Sequence, residues 1–311
     1  MIIRTTLEGA AFARLCAEAA YDAGAREVLV FYTDEAVSRL RMERTAAEVL
    51  EDVKPWQLAS NMDYVGEEGS LCLLRILAND PELYKGIDAE KLGRVNAATN
   101  KAMKPFQMLT MTNRVQWSIV AVPSEAWAQK VFAGLPAEEA KEKLWDAILT
   151  ASRIDGGDAV QVWRDQAAAL AAYSAALNGH CFDALHLRSQ NGTDLVVGLA
   201  DDHVWAGGGD VSSKGVAFLP NVPTEEVFTA PHRLRTNGIV KSSMPYVFNG
   251  NLIEGITTKF ENGVAVEYSA AKNDALLQQM LAADEGAKHI GEIALVPASS
   301  PIRQSGGLFY N

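Results

Sequence analysis

The sequence is short of positive charge: 28 Lys and Arg stand against 39 Asp and Glu, a formal charge of −11 over 311 residues. A surface of that sign repels polyanions, which excludes nucleic acid as an expected partner, while cations and positively charged substrate ends are attracted. Cysteine is scarce too. Cys16, Cys72 and Cys181 lie far apart without the pairwise spacing of a metal site. Such a scattered, odd set reads as reduced thiols in a cytoplasmic protein. No apolar run approaches the roughly 20 residues that cross a bilayer, so no membrane association is expected. The opening MIIRTTLEGAAFARL lacks the basic-then-apolar order and cleavage site of a secretory signal. Several chemical signatures are also missing. There is no glycine-rich phosphate loop, no G-x-S-x-G nucleophile elbow and no H-E-x-x-H zinc helix.

What is present is the balance of a folded globular protein, with 48% hydrophobic and 22% charged residues. The length fits two domains. In the first half, strand-like runs at Met1–Arg4, Glu27–Tyr32, Ser70–Leu77 and Val115–Val122 alternate with helical periodicity, as in residues 7–23. Continuous apolar runs such as EVLVFY mark strands covered on both faces. The rhythm predicts an α/β domain, residues 1–155, with a parallel sheet and helices on both faces. Residues 137–178 read as helical with a break at Asp155-Gly156-Gly157-Asp158, which sets the boundary. Beyond Gly179 the period becomes two. ALHLRS and TDLVVGLA flank an Asn-Gly turn signal, and GVAFLP, NGIVKSS, NLIEGITTKF, VAVEYSA and HIGEIALV follow, with a helix over 271–283. Residues 156–311 are thus expected to be an α+β domain with mainly antiparallel strands.

Two places hold carboxylates where burial is expected. In NVPTEEVFTAP, Glu225 and Glu226 follow Pro223-Thr224. One reading is a helix N-terminus capped by Thr224, with both carboxylates facing the positive end of the dipole. The other is a strand, favoured by the β-branched and aromatic Val227-Phe228-Thr229 and by Pro231. In a strand the two glutamates point to opposite faces and one enters the interior. Glu292, in IGEIALV, shares a strand face with Ala294 and Val296 and is expected to be buried. An unpaired buried carboxylate costs several kcal/mol, so it needs a Lys or Arg partner, a proton or a cation. Two inward carboxylates from distant strands suit a divalent metal. The five histidines form no motif and read as surface or structural residues. Asp194 reads as a turn residue, and Arg164 as a member of an exposed ion pair on a helix.

NVPTEEVFTAPHRLRTNGIV, followed by DEGAKHIGEIALVPASSPI, resembles the metal-dependent aminopeptidases of the aminopeptidase T, aminopeptidase S and PepS type. GTDL, WAGGG and the WR of VQVWRDQ fit the same pattern, and the resemblance runs along essentially the whole chain. It implies removal of N-terminal amino acids from peptides by two divalent metal ions (zinc, cobalt or manganese) in the second domain, and a homodimer. It places Glu226 and Glu292 as metal ligands and Glu225 as a close neighbour, a proton acceptor in catalysis. It also implies further ligands, two histidines and an aspartate, and a catalytic tyrosine beyond the segment ending at LFYN. On that reading these 311 residues alone carry an incomplete site and little or no peptidase activity. The rival reading is a non-catalytic binding or scaffold protein that keeps the fold. A nucleotide-binding α/β protein is a third, resting on the rhythm of the first domain alone.

Overall fold

The structure, a computed structural model, describes residues 1–65, 71–154, 156–248, 251–307 and 309–310. Ser70, Asp155, Leu308 and Asn311, which figure in the reading above, lie outside the described residues. The chain forms two compact units, Met1–Asp155 with Gly209–Thr224, and Gly156–Gly208 with Glu225–Asn311.

The first unit runs β1 (Ile2–Thr6), α1 (Ala10–Asp22), β2 (Leu29–Thr33), α2 (Glu35–Arg44), α3 (Ala47–Glu51), α4 (Pro55–Met62) and β3 (Cys72–Leu77). It continues with α5 (Ala89–Met111), β4 (Gln116–Ala121), α6 (Glu125–Val131) and α7 (Ala137–Ala151). The four strands pair in the order β2-β1-β3-β4, all parallel. Successive β1 residues feed opposite layers, as strand alternation requires. Ile2 belongs to a core with Leu109 and Phe106 of α5 and Met62 of α4. Ile3 belongs to another with Phe12 and Ala13 of α1 and Trp145 of α7. Helices therefore cover both faces. The EVLVFY run departs from its expected burial. β2 begins at Leu29 and is the edge strand, and its Phe31 and Tyr32 are exposed, because an edge strand lacks a neighbour to complete the layer.

The second unit opens with α8 (Ala159–His180), whose N-terminus is capped by the Asp158 carboxylate accepting from the amides of Val160 and Gln161. β5 (Ala184–Arg188) and β6 (Asp194–Leu199) form an antiparallel hairpin. Its loop is longer than a two-residue turn. Asn191 Oδ1 accepts from the Thr193 amide at 3.0 Å, an Asx turn that only the side chain makes possible. The chain then returns to the first unit through β7 (Asp210–Val211) and β8 (Ala217–Phe218). Gly209–Thr224, placed in the second domain on sequence, thus groups with the first unit. There the Ile119 amide donates to Pro220 O, and Asn221 bridges to Ile119 in parallel.

The remaining elements are β9 (Val227–Thr229), β10 (Pro231–Lys241), β11 (Tyr246–Phe248), β12 (Asn251–Ile253), β13 (Thr257–Glu261), β14 (Val264–Ser269), α9 (Asp274–Leu281), β15 (Ile293–Leu295) and α10 (Pro301–Ser305). A five-stranded antiparallel sheet in the order β14-β13-β10-β6-β5 dominates this unit. NLIEGITTKF, read as one strand, is two, because the chain turns at Gly255 with φ +64°. Asn262 and Gly263, at φ 50° and 83°, make the two-residue turn between β13 and β14, with both central residues in the left-handed region. The core joins Leu170 of α8, Leu195, Val197 and Leu199 of β6, Trp205, Phe260, Val227 and Ile293.

Candidate metal centre

The PTEEVFT segment is extended. β9 pairs antiparallel with β15, with Phe228 opposite Ala294, Val227 opposite Leu295 and Thr229 opposite Ile293. Burial alternates along it: Glu225, Val227 and Thr229 are buried, Glu226 is half-buried, and Phe228 and Ala230 are exposed. Of the two local readings the strand is therefore the one realised, and Glu225 is the glutamate that enters the interior, at 6% exposure. Because Pro231 opens β10 directly, the segment has no room for a helical turn.

Directly opposed residues of an antiparallel ladder lie on the same face. Phe228 and Ala294 share one, and two-residue steps carry Glu226 and Glu292 onto it as well. Extended backbone continued one residue before each strand turns both carboxylates toward the outer face of the β9–β15 ribbon, at its opposite ends. Each immediately precedes a core anchor, Val227 at 4% and Ile293 at 8% exposure, which fixes the backbone from which it projects. Glu292 is exposed, not buried as expected. The regular strand starts one residue later, so its apolar neighbours Ile293 and Leu295 take the core side while Glu292 stays outside.

The two charges interact. Burial first, and the Glu292 carboxylate second, hold the Glu226 carboxyl above the usual glutamate range. A half-buried acid crowded by a second acid is where a divalent cation relieves both desolvation and repulsion.

A second support holds β9 from its other edge. Asn178 of α8 donates from Nδ2 to Trp205 O at 3.0 Å and accepts at Oδ1 from the Trp205 amide at 2.8 Å. Ala206, next along, exchanges two backbone hydrogen bonds of 2.9 Å with Phe228. Gly207 then passes so close to Glu226 that an added Cβ would lie 2.6 Å from the Glu226 carbonyl oxygen. The glycine of WAGGG is a packing requirement that sequence inspection alone does not show. Thr229 Oγ1 donates to Val204 O at 2.9 Å and completes the seam.

The histidines are engaged elsewhere. His186 contacts Asp194 at 2.6 Å, His203 Nδ1 donates to Ala200 O, His289 Nδ1 donates to Arg233 O, His232 accepts from the Leu234 amide, and His180 stacks on Phe182. Asp194 is thus the partner of His186 at the start of β6, and Arg164 lies exposed on α8. As donors, Glu226 and Glu292 fit a divalent cation in kind, being hard carboxylate oxygens on one face. Among the described residues, no group of three or more His, Cys, Asp or Glu side chains is arranged to hold a metal. The described residues therefore offer no closed coordination set.

By family the chain is a metal-dependent peptidase. It belongs to the thermophilic metalloprotease (M29) family, which it matches over residues 1–311. It is 40% identical to aminopeptidase T of Thermus aquaticus over all of this chain and 76% of that protein. It is 36% identical to aminopeptidase AmpS of Bacillus subtilis, over all of this chain and 75% of that one. The solved structure of wild-type AmpT from Thermus thermophilus superimposes with a TM-score of 0.91 at 40% identity, covering 100% of this chain and 76% of that one. Among the described residues, no helix is long and apolar enough to cross a membrane.

Proposed function

We propose that this protein is an aminopeptidase that removes N-terminal amino acids from peptides, with Glu226 and Glu292 as carboxylate ligands of a dinuclear divalent-metal centre. The observation that carries the reading is the β9–β15 register, which turns both glutamates toward one face, where burial first and the Glu292 charge second hold the Glu226 carboxyl above the usual glutamate range. The names of the relatives, aminopeptidases T and AmpS, support the substrate class. When bound, the ions supply Lewis-acid polarisation of the scissile carbonyl and an activated water.

The chain's own residues do the rest. Glu226 and Glu292 hold the positive charge at a fixed place, because Val227 and Ile293 pin their backbones into the core. Phe228 and Ala294, between them, give the face an apolar floor on which a substrate side chain can rest. Glu225, next to Glu226 in the chain but buried in the interior, supports the backbone of that ligand from the opposite side and does not take a proton at the outer face. A homodimer is part of the same reading, as is a cytoplasmic location, suggested by the reduced-thiol composition.

With Glu226 and Glu292 as the paired carboxylates among the described residues, residues 1–311 should bind Zn²⁺, Co²⁺ or Mn²⁺ weakly and show little peptidase activity. Calorimetric titration should place the affinity in the micromolar range or weaker, and Glu226→Gln or Glu292→Gln should each lower it at least tenfold. Release of chromophore from an aminoacyl chromogenic substrate, small in the parent, should fall further with chelator and with Glu292→Gln. Metal affinity and hydrolysis indifferent to both substitutions would refute the assignment.

A further inference from the structure

The second unit contains a cavity of about 410 Å³ that the metal reading does not use. Its floor is core: Phe260 of β13, Ala265 of β14 and Leu277 of α9 are all buried. Its rim is apolar and open, with Met244 at 50% and Tyr246 at 49% exposure. A lining that is greasy from floor to rim, in a volume within the usual range for small-ligand sites, is what an apolar molecule fills. Exposed Met and Tyr side chains beside such a hollow offer adaptable and amphipathic contact surface.

One edge of the cavity differs from the rest. Lys288 and His289 line it side by side. The Lys288 Nζ lies 5.7 Å from the centre of the Tyr268 ring, and among the described residues it forms no ion pair. An ammonium set against an aromatic face is positioned by the ring and keeps its donors for an anion. His289 Nδ1 faces Arg233 O at 3.1 Å. A carbonyl oxygen only accepts, so Nδ1 carries the proton and Nε2 remains for a second partner. The rest of the lining carries little polarity, with Ser242, Tyr246 and Thr258 as its hydroxyls.

We propose that this cavity is a binding site for a small hydrophobic carboxylate, its apolar body over Phe260 and Leu277 and its carboxylate at Lys288. Neither Glu226 nor Glu292 lines it, and the site stands whether or not they hold metal. Octanoate, kept below the concentration at which it self-associates, is the probe, and octanamide its uncharged counterpart, each titrated calorimetrically into residues 1–311. The expected result is one octanoate site of sub-millimolar affinity with octanamide at least tenfold weaker. Lys288→Gln should reduce octanoate to the octanamide affinity. Met280→Trp, which fills the hollow from α9, should weaken both ligands at least tenfold. Should Met280→Trp lose the parent circular dichroism, Lys288→Gln decides alone, since it alters a side chain that reaches solvent. No octanoate binding, equal affinity for the two ligands, or an unchanged octanoate affinity in Lys288→Gln overturns the proposal.

Discussion

Replacing Gly207 by Ala tests whether the backbone behind Glu226 sets the candidate site. A Cβ at residue 207 would stand 2.6 Å from Glu226 O, 2.9 Å from Val227 Cγ1 and 3.1 Å from Val227 Cα. Ordinary contact needs ~3.5 Å, so the Glu226 carbonyl must retreat by close to 1 Å or the Gly207 backbone must swing away. Neither yields easily. β9 is tied to β15 on one edge and to Ala206 on the other, and Val227 is buried among Trp205, Leu199 and Ile293. Overpacking of this kind costs about 1–3 kcal/mol, which in a unit of this size lowers the melting temperature by roughly 3–10 °C. Because metal ligands must be held to about 0.5 Å, the same shift should lower divalent-metal affinity tenfold or more. Gly291→Ala is the control. It adjoins Glu292, yet open space lies where its Cβ would go and its φ is not left-handed, so it should change stability by less than about 0.5 kcal/mol. Thermal unfolding by circular dichroism and metal titration of both variants provide the assay. A Gly207→Ala protein that melts and binds metal like the parent would refute the reasoning, as would equal effects of the two substitutions.

Two further outcomes follow from the packing and the charges. Trp205→Ala, at a side chain 1% exposed in the core beneath β9, should cost about 3–5 kcal/mol by denaturant unfolding; a loss under about 1 kcal/mol would contradict the assigned burial. In the first unit, Glu35 is held above the ordinary glutamate value of 4.5 by burial first, with Asp80 and Glu8 adding repulsion, against opposing hydrogen bonds from Asn79 and the Asp80 amide. A raised acid is penalised when ionised in the fold, so its destabilising contribution is present above its folded pKa and disappears as the pH falls to 4.5. Glu35→Gln keeps an acceptor for Asn79 and should therefore raise the melting temperature at pH 7 with a gain that shrinks toward pH 4.5. A gain that grows on acidification would invert the assignment.

The sequence by itself determined the elements whose causes are local. Runs such as LCLLRIL and VQWSIVAV became parallel strands because a predominantly apolar run is stable only with layers on both faces. Asn262-Gly263 became a two-residue turn because those residues tolerate left-handed backbone. The pair Glu226 and Glu292 stood out as candidates because each carboxylate adjoins an apolar stretch, Val227-Phe228 and Ile293-Ala294.

Only the tertiary structure decided which way those carboxylates point. Burial of Glu225, exposure of Glu292 and their placement relative to Glu226 depend on the register between β9 and β15, strands more than sixty residues apart. A one-residue slip would exchange the faces while leaving the sequence pattern intact. The return of Gly209–Thr224 to the first unit and the clearance at Gly207 were equally out of reach. Both arise from what the chain meets after folding, and no residue's local preference encodes its distant neighbour.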